Sequence, residues 1–169
     1  TDECRAIKPF EIDVSASDQK GRPAANTVNE IGMEGDLSDN RWRGSWVTAP
    51  DGDGGGRSHT HPGTREGDAW IKYEFNRPFK IEKVWVWNYN EATARGLKNV
   101  TVEYTEDGEH WRTLGTYEFC RAPGTANYEH NTTIEFNRIK ARAVILTAVG
   151  GPGVGNWGDS SMYGLSEVR

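Results

Sequence analysis

No run in this chain approaches the roughly 18–20 consecutive apolar residues that a membrane-spanning helix needs. A charged segment followed by an apolar one is also missing at the start, so the sequence reads as a mature or excised piece if it is secreted. There is no basic excess: 20 Lys and Arg stand against 25 Asp and Glu, a formal net charge of −5. A general nucleic-acid binder would show the opposite balance. Long helical periodicity is scarce. So is cysteine, with only Cys4 and Cys120 and no C-x-x-C or Cys/His cluster suggesting zinc. Two readings of the pair stay open: a disulfide from the N-terminus to mid-chain in an oxidising compartment, or two free thiols. Closing so long a loop stabilises by roughly 4–5 kcal/mol in the chain-entropy model.

What the chain does have is aromatic bulk and glycine. Its 169 residues suit one domain, 1–169, with a full core. Seven Trp, six Tyr and five Phe supply large apolar areas, while 20 Gly mark long polar connections. This mixture predicts an all-β domain with elaborate loops. Strand signals follow one another from residue 70. "WIKYEF" (70–75) alternates, with Ile71, Tyr73 and Phe75 on one face. "KVWVWNY" (83–89) is apolar on both faces, as in a strand covered on both sides. "NVTVEYT" (99–105) alternates again, and Asp107-Gly108 is a hairpin turn signal before "WRTLGTYEF" (111–119). "NTTIEF" (131–136), "RAVILTAV" (142–149), "MYGLSEVR" (162–169) and "FEIDVSAS" (10–17) complete the set. Residues 18–69 and 150–161 read as loops, and 49–68 as a long insertion. The expected architecture is a β-sandwich with loops clustered at its ends.

Motifs for catalysis are thin. His59 and His61 in "SHTH", with Asp51, Asp53 or Asp68 nearby, form at most a weak metal site in a Gly-rich loop. No H-E-x-x-H, G-x-S-x-G or phosphate loop appears. The expectation is a domain that is not an enzyme.

The ordered set "AWIKYEF", "VWVWNYN", "RGLKNVTVEYTEDGEHW", "HNTTIEF" and "NWGDSSMYGLSEVR" resembles the coagulation factor V/VIII type C domain, also called the discoidin domain. Within that group it is most similar to bacterial carbohydrate-binding modules of family 32. Arg95 precedes "VEYTEDGEHW", as an Arg precedes an S-x-D-G-x-x-W-like stretch in the family, and Ser166-Glu167-Val168 matches the closing strand. The resemblance covers nearly the whole chain. It implies a jelly-roll β-sandwich, a structural Ca²⁺ and a sugar site in the loops at one end. Upstream, the family's Asp-Gly-Asp-x-x-Thr-x-Trp-His has two competing starts, Asn29 or Glu34-Gly35-Asp36, and its His falls at Arg43.

From the resemblance, Asn29, Asp36, Asp39 and Glu167 are the expected calcium ligands, since Ca²⁺ takes six to eight oxygens from such groups. The expected ligand-binding residues are Arg43, Asn88, Asn90, Arg95, Asn156 and Trp157. A sugar needs planar donors, amides and an aromatic surface, and these positions supply them. Arg95 and Asn156 match family positions that often contact galactose-type sugars, and Arg43 in the His position points to an acidic ligand, a uronate or sulfated sugar. The implied role is a non-catalytic module, extracellular or periplasmic, that tethers a linked enzyme to its polysaccharide. The alternative is a cell-surface adhesion domain that binds a protein partner. No Leu or Phe pairs for membrane insertion stand in the loops. In "WVWNYN" (85–90), Trp85 and Trp87 are expected to pack, and Asn88 and Asn90 to meet ligand.

Overall fold

The computed structural model describes residues 4–48, 59–60, 66–67 and 69–169. Its strands are β1 (Ile12–Ala16), β2 (Met33–Glu34), β3 (Leu37–Ser38), β4 (Trp46–Val47), β5 (His59–Thr60), β6 (Glu66–Gly67), β7 (Ala69–Asn88), β8 (Asn99–Thr105), β9 (Trp111–Glu118), β10 (Tyr128–Glu129), β11 (Thr132–Ala148) and β12 (Gly164–Val168). Most of the 49–68 insertion, with Asp51, Asp53, His61 and Asp68, lies outside the described residues. The exceptions are β5 and β6, which pair antiparallel.

Two strands carry the architecture. The expected 70–75 and 83–89 strands are one continuous β7, and the expected 131–136 and 142–149 strands are one continuous β11. The main sheet runs β4-β12-β7-β11-β8-β9, with β1 also on β7. The first part of β7 pairs with β1 and with the last part of β11, while its end pairs with β12 and with the start of β11. Register shifts interrupt β11 between Glu135 and Ile139 and between Ala141 and Ala143. Asn137 and Arg138 there have positive φ, a conformation that bends a strand sharply. Pro78 sits in the matching stretch of β7, where it removes a donor from the ladder. The sheet therefore folds over on itself. Residues from both halves of β7 (Ile71, Tyr73, Ile81, Val86) and of β11 (Ile134, Phe136, Val144, Leu146) share one buried cluster.

The covered strand at 83–89 behaves as its pattern predicts. Val84 and Val86 face the main core, and Trp85 and Trp87 face a second cluster with Met33, Ala122 and Tyr128. The β10-β3-β2 sheet forms beside this layer. Trp87 is fully buried, and its indole N–H donates to the Asp36 carbonyl at 3.0 Å. Trp85 stacks on His130 with centroids 4.4 Å apart. The hairpin between β8 and β9 turns where Asp107-Gly108 predicts. Gly108 has φ +86°, and Asp107 accepts the N–H groups of Glu109 and His110. The disulfide reading fails: Cys4 and Cys120 are both free and exposed.

The N-terminal segment is clamped by one ion pair. Glu11 is buried and accepts from Arg5 at 2.8 Å and from the Lys8 backbone N–H at 2.9 Å. The Arg5 guanidinium and that N–H hold the Glu11 carboxyl down at about 2. A depressed carboxylate adds stability above its unfolded pKa, and that stability is lost as pH falls through its folded pKa. The contribution of Glu11 is thus expected to disappear between about pH 4.5 and about pH 2. Comparing acid unfolding of wild type and Glu11→Gln checks this. Curves that stay parallel throughout that window would contradict it.

Candidate functional site

The loops at one end of the sandwich are tied together by three buried asparagines. Asn88 donates to the carbonyls of Leu97 (2.8 Å) and Cys120 (2.9 Å) and accepts the N–H groups of Tyr89 and Leu97. Asn90 donates to the carbonyls of Asp39 and Thr125, both at 2.8 Å, and accepts from Gly124 N–H. Asn156 donates to the carbonyls of Asp159 and Met162 and accepts from Gly153 and Gly158. A primary amide has two donor hydrogens and one acceptor oxygen with two lone pairs. In Asn88 and Asn156 all of that capacity is used internally, and Asn90 is at most 1% exposed. The expectation that these three meet ligand is therefore corrected: they are braces that hold the loops. Gly96 fits beside Asn88 for the same reason, since a Cβ there would lie 2.7 Å from the Asn88 Oδ1.

Trp157 is also engaged. Its indole N–H donates to the Phe119 carbonyl at 3.0 Å, and the Lys98 ammonium lies 4.7 Å over its ring. Of the six expected residues, Arg43 and Arg95 keep accessible polar groups. Arg43 is exposed, and its carbonyl accepts from Asn26.

Arg95 stands at the end of a short 3-10 turn (Thr93–Arg95). Its guanidinium lies between Asp159 at 3.4 Å and Glu91 at 3.8 Å, with the side chain 29% exposed. The Tyr89 hydroxyl donates to Glu91 at 3.3 Å and also interacts with Arg95 and Ser45. Burial pushes that hydroxyl above its ordinary pKa. Burial alone would also raise the Asp159 carboxyl, but the N–H groups of Ser161 and Met162, with Arg95, hold it below its usual range. The Asp159 N–H donates to the Ala94 carbonyl, locking the two loops in register. Ser45 connects this cluster to Trp42, whose carbonyl accepts from the Ser45 hydroxyl at 2.7 Å. Trp42 is 46% exposed, and the Arg22 guanidinium sits 3.7 Å from its ring centroid. Gly44 allows the 42–45 turn to press on the Ile31 carbonyl, where any Cβ would collide. The result is a half-exposed indole between Arg41 and Arg43 in sequence with Arg22 on its ring, and its turn is joined through Ser45 and the Tyr89 hydroxyl to a guanidinium held between two carboxylates. Such an arrangement can stack an apolar sugar face and exchange hydrogen bonds with neighbouring hydroxyls. Trp42, Glu91 and Asp159 were missed in the sequence. The available signals were the i,i+4 spacing of Glu91 and Arg95 and the position of Trp42 at the Trp of the family's Trp-His pair.

The four expected calcium ligands do not converge as one set. Asn29 donates to Asn26, and its Oδ1 accepts from Ile31 N–H. Asp36 pairs with Arg169 at 2.5 Å, and Asp39 accepts from Arg41 N–H. No group of three or more His, Cys, Asp or Glu able to hold a metal occurs among the described residues. Glu167 fits a hard cation: it is 1% exposed, and its Oε1 has no hydrogen-bond partner. Burial pushes its carboxyl up to about 8, against the pull of Arg169 at 3.4 Å.

A sequence profile of the NedA-like, galactose-binding domain family matches residues 48–146. The chain belongs to this family. Solved structures share the fold over the whole domain. CpGH89CBM32-5 from Clostridium perfringens, in complex with GalNAc-β-1,3-galactose, superposes with a TM-score of 0.64 at 15% identity, covering 97% of both chains. The family 32 module of C. perfringens NanJ, in complex with galactose, gives 0.63 at 13% identity, covering 96% of this chain and 94% of that one. A pectin-binding carbohydrate-binding module gives 0.53 at 16% identity, covering 93% and 87%. No curated protein sequence matches the chain. At these identities the structures establish the fold of this galactose-binding-like domain and nothing finer.

Proposed function

We propose that the domain is a non-catalytic carbohydrate-binding module whose ligand site is the Glu91–Arg95–Asp159 cluster, backed by the buried Tyr89 hydroxyl, with Trp42 and Arg43 in the adjoining turn. The observation that carries this reading is Arg95, partly exposed and fixed between two carboxylates at the loop end of the sandwich. Family membership and the ligands of the structural neighbours support a sugar as its partner. Arg41 and Arg43 beside Trp42 favour an acidic sugar, with which the pectin-binding neighbour is consistent, while the galactose-containing ligands of other neighbours support a galactose-type one. The site is shallow and solvated, so affinity is expected at about millimolar to tens of micromolar. In a secreted parent protein such binding raises the local concentration of a linked catalytic domain at its polysaccharide. A glycan array with isothermal titration of galactosides, GalNAc and uronic or sulfated glycans tests the reading. Binding to at least one class is expected, and no glycan binding at millimolar ligand would overturn it.

A structural calcium ion belongs to the same proposal, supported by the buried, unpartnered Oε1 of Glu167. Glu167 would hold it through that oxygen, and the ion would supply positive charge to the buried carboxylate in addition to that of Arg169. Calcium is then expected to raise the thermal midpoint of the wild type and to leave Glu167→Gln unmoved. An equal shift in both proteins, or in neither, would dismiss the ion.

A further inference from the structure

The Arg22 side chain ends on the ring of Trp42. Its guanidinium carbon lies 3.7 Å from the ring centroid. So close an approach requires the guanidinium to lie flat on the indole, which covers one face of the ring. Trp42 is still 46% exposed. Stacking uses the flat face of a guanidinium and leaves its N–H edge free. Among the described residues, no carboxylate or carbonyl takes up that edge. The Arg41 and Arg43 side chains are exposed, and they too make no ion pair among the described residues. The neighbouring Asp39 carboxylate accepts from the backbone N–H of Arg41 instead.

Both members of the stack are held from outside the pair. The Arg22 N–H donates to the Val47 carbonyl at 2.9 Å, and Val47 N–H bonds back at 3.5 Å. Gly21 permits this approach, since a Cβ there would lie 2.7 Å from the carbonyls of Val47 and Thr48. Pro23 restricts Arg22 to extended backbone. On the other side, the buried Asn26 donates to the carbonyls of Arg43 (3.3 Å) and Ser45 (2.9 Å). Asn26 belongs to the 3-10 turn Ala24–Thr27 that follows Arg22. One short segment therefore places Arg22 and also braces the turn that carries Trp42.

We infer that Arg22, stacked on Trp42, is a specificity-determining residue that takes an oxyanion of the glycan, a carboxylate or a sulfate. The inference rests on the proposed sugar-binding reading and adds a subsite to it. Comparison with Arg95 selects the ligand chemistry. The charge of Arg95 is already met by Glu91 and Asp159, which suits it to neutral hydroxyls. The charge of Arg22 is met by an aromatic face alone. A planar fork of N–H donors matches two oxygens of a carboxylate or sulfate, whereas a hydroxyl brings no countercharge. A fork held in place before the ligand arrives also lowers the ordering cost of binding.

Titration calorimetry of wild type, Arg22→Met and Arg22→Lys tests this with three trisaccharides. One is built of galacturonate, the second is its methyl ester, and the third is a sulfated galactose trisaccharide. The ester keeps the shape of the first and removes its charge. Wild type is expected to bind one of the two charged sugars at least about tenfold more tightly than the ester, and which one it prefers separates carboxylate from sulfate. Arg22→Met should lose at least about tenfold on that charged sugar and less than about threefold on the ester. Arg22→Lys keeps a point charge without the fork and should fall between. The preference should also shrink at high salt. Thermal midpoints of both variants should match wild type, because the stack is a surface contact. Equal binding of charged and esterified sugars by wild type would overturn the inference and leave the sugar-binding reading standing. So would an equal fold-loss on both in Arg22→Met. Wild type that binds no glycan, charged or neutral, would overturn both.

Discussion

Replacing Asn88 with Ala is expected to remove most of the domain's stability. The side chain is fully buried and makes four hydrogen bonds to the backbone of residues 89, 97 and 120. Truncation strands two carbonyls and two N–H groups where water has little access. Each buried orphan costs about 1–3 kcal/mol, so the loss is several kcal/mol. Natural domains hold only about 5–15 kcal/mol in total. Asn88→Asp preserves shape but turns a carboxylate oxygen toward the Leu97 and Cys120 carbonyls, and it should be at least as damaging. Urea unfolding of both variants measures this. A loss below about 1 kcal/mol in each would show that the loops do not depend on this brace. Asn90→Ala removes three such bonds and should rank below Asn88→Ala, still acting on folding rather than on ligand contact.

Arg95→Met should have the opposite profile, with a large loss of glycan affinity and little loss of stability. The guanidinium is partly exposed, and its ion pairs with Glu91 and Asp159 lie at 3.8 and 3.4 Å. Exposed pairs of this kind contribute about 0–1 kcal/mol to folding. A hydrogen bond from a charged donor to a ligand is worth about 1.5–3 kcal/mol, which corresponds to a weakening of roughly 10- to 150-fold. Met keeps the length of the stem and removes only the donors. Titration calorimetry with the best array ligand reads the affinity, and a thermal melt reads the fold. If Arg95→Met binds as well as wild type, the ligand sits elsewhere. If it unfolds, Arg95 is another brace.

These two residues show where reading by pattern succeeds and where it stops. Alternation at Ile71, Tyr73 and Phe75 was legible because each strand residue must choose one of two faces, and apolar area favours the inner one. The two-sided run at Trp85–Trp87 was legible for the same reason, with clusters on both faces. Continuity of β7 and β11 was not, since Arg77-Pro78 and Asn137-Arg138 carry local turn chemistry that the long-range ladder overrides. The choice of Arg95 came from its motif. Its partner Asp159 is distant in sequence, and only folding brings it within reach.

The asparagines mark the boundary most sharply. An Asn at a strand end has the same hydrogen-bonding capacity whether it faces a sugar hydroxyl or a backbone carbonyl. By itself the sequence determined the all-β class and the buried faces of the strands, because these follow from local periodicity and apolar area; the expectation of a site among the end loops came from the resemblance to the discoidin family. The tertiary structure decided which polar groups remain available. It satisfies Asn88 and Asn156 completely, leaves Arg95 partly exposed between Glu91 and Asp159, and leaves one oxygen of Glu167 without a hydrogen-bond partner. The reason is that hydrogen-bond satisfaction is set by groups far apart along the chain, and no local pattern records which of them will meet.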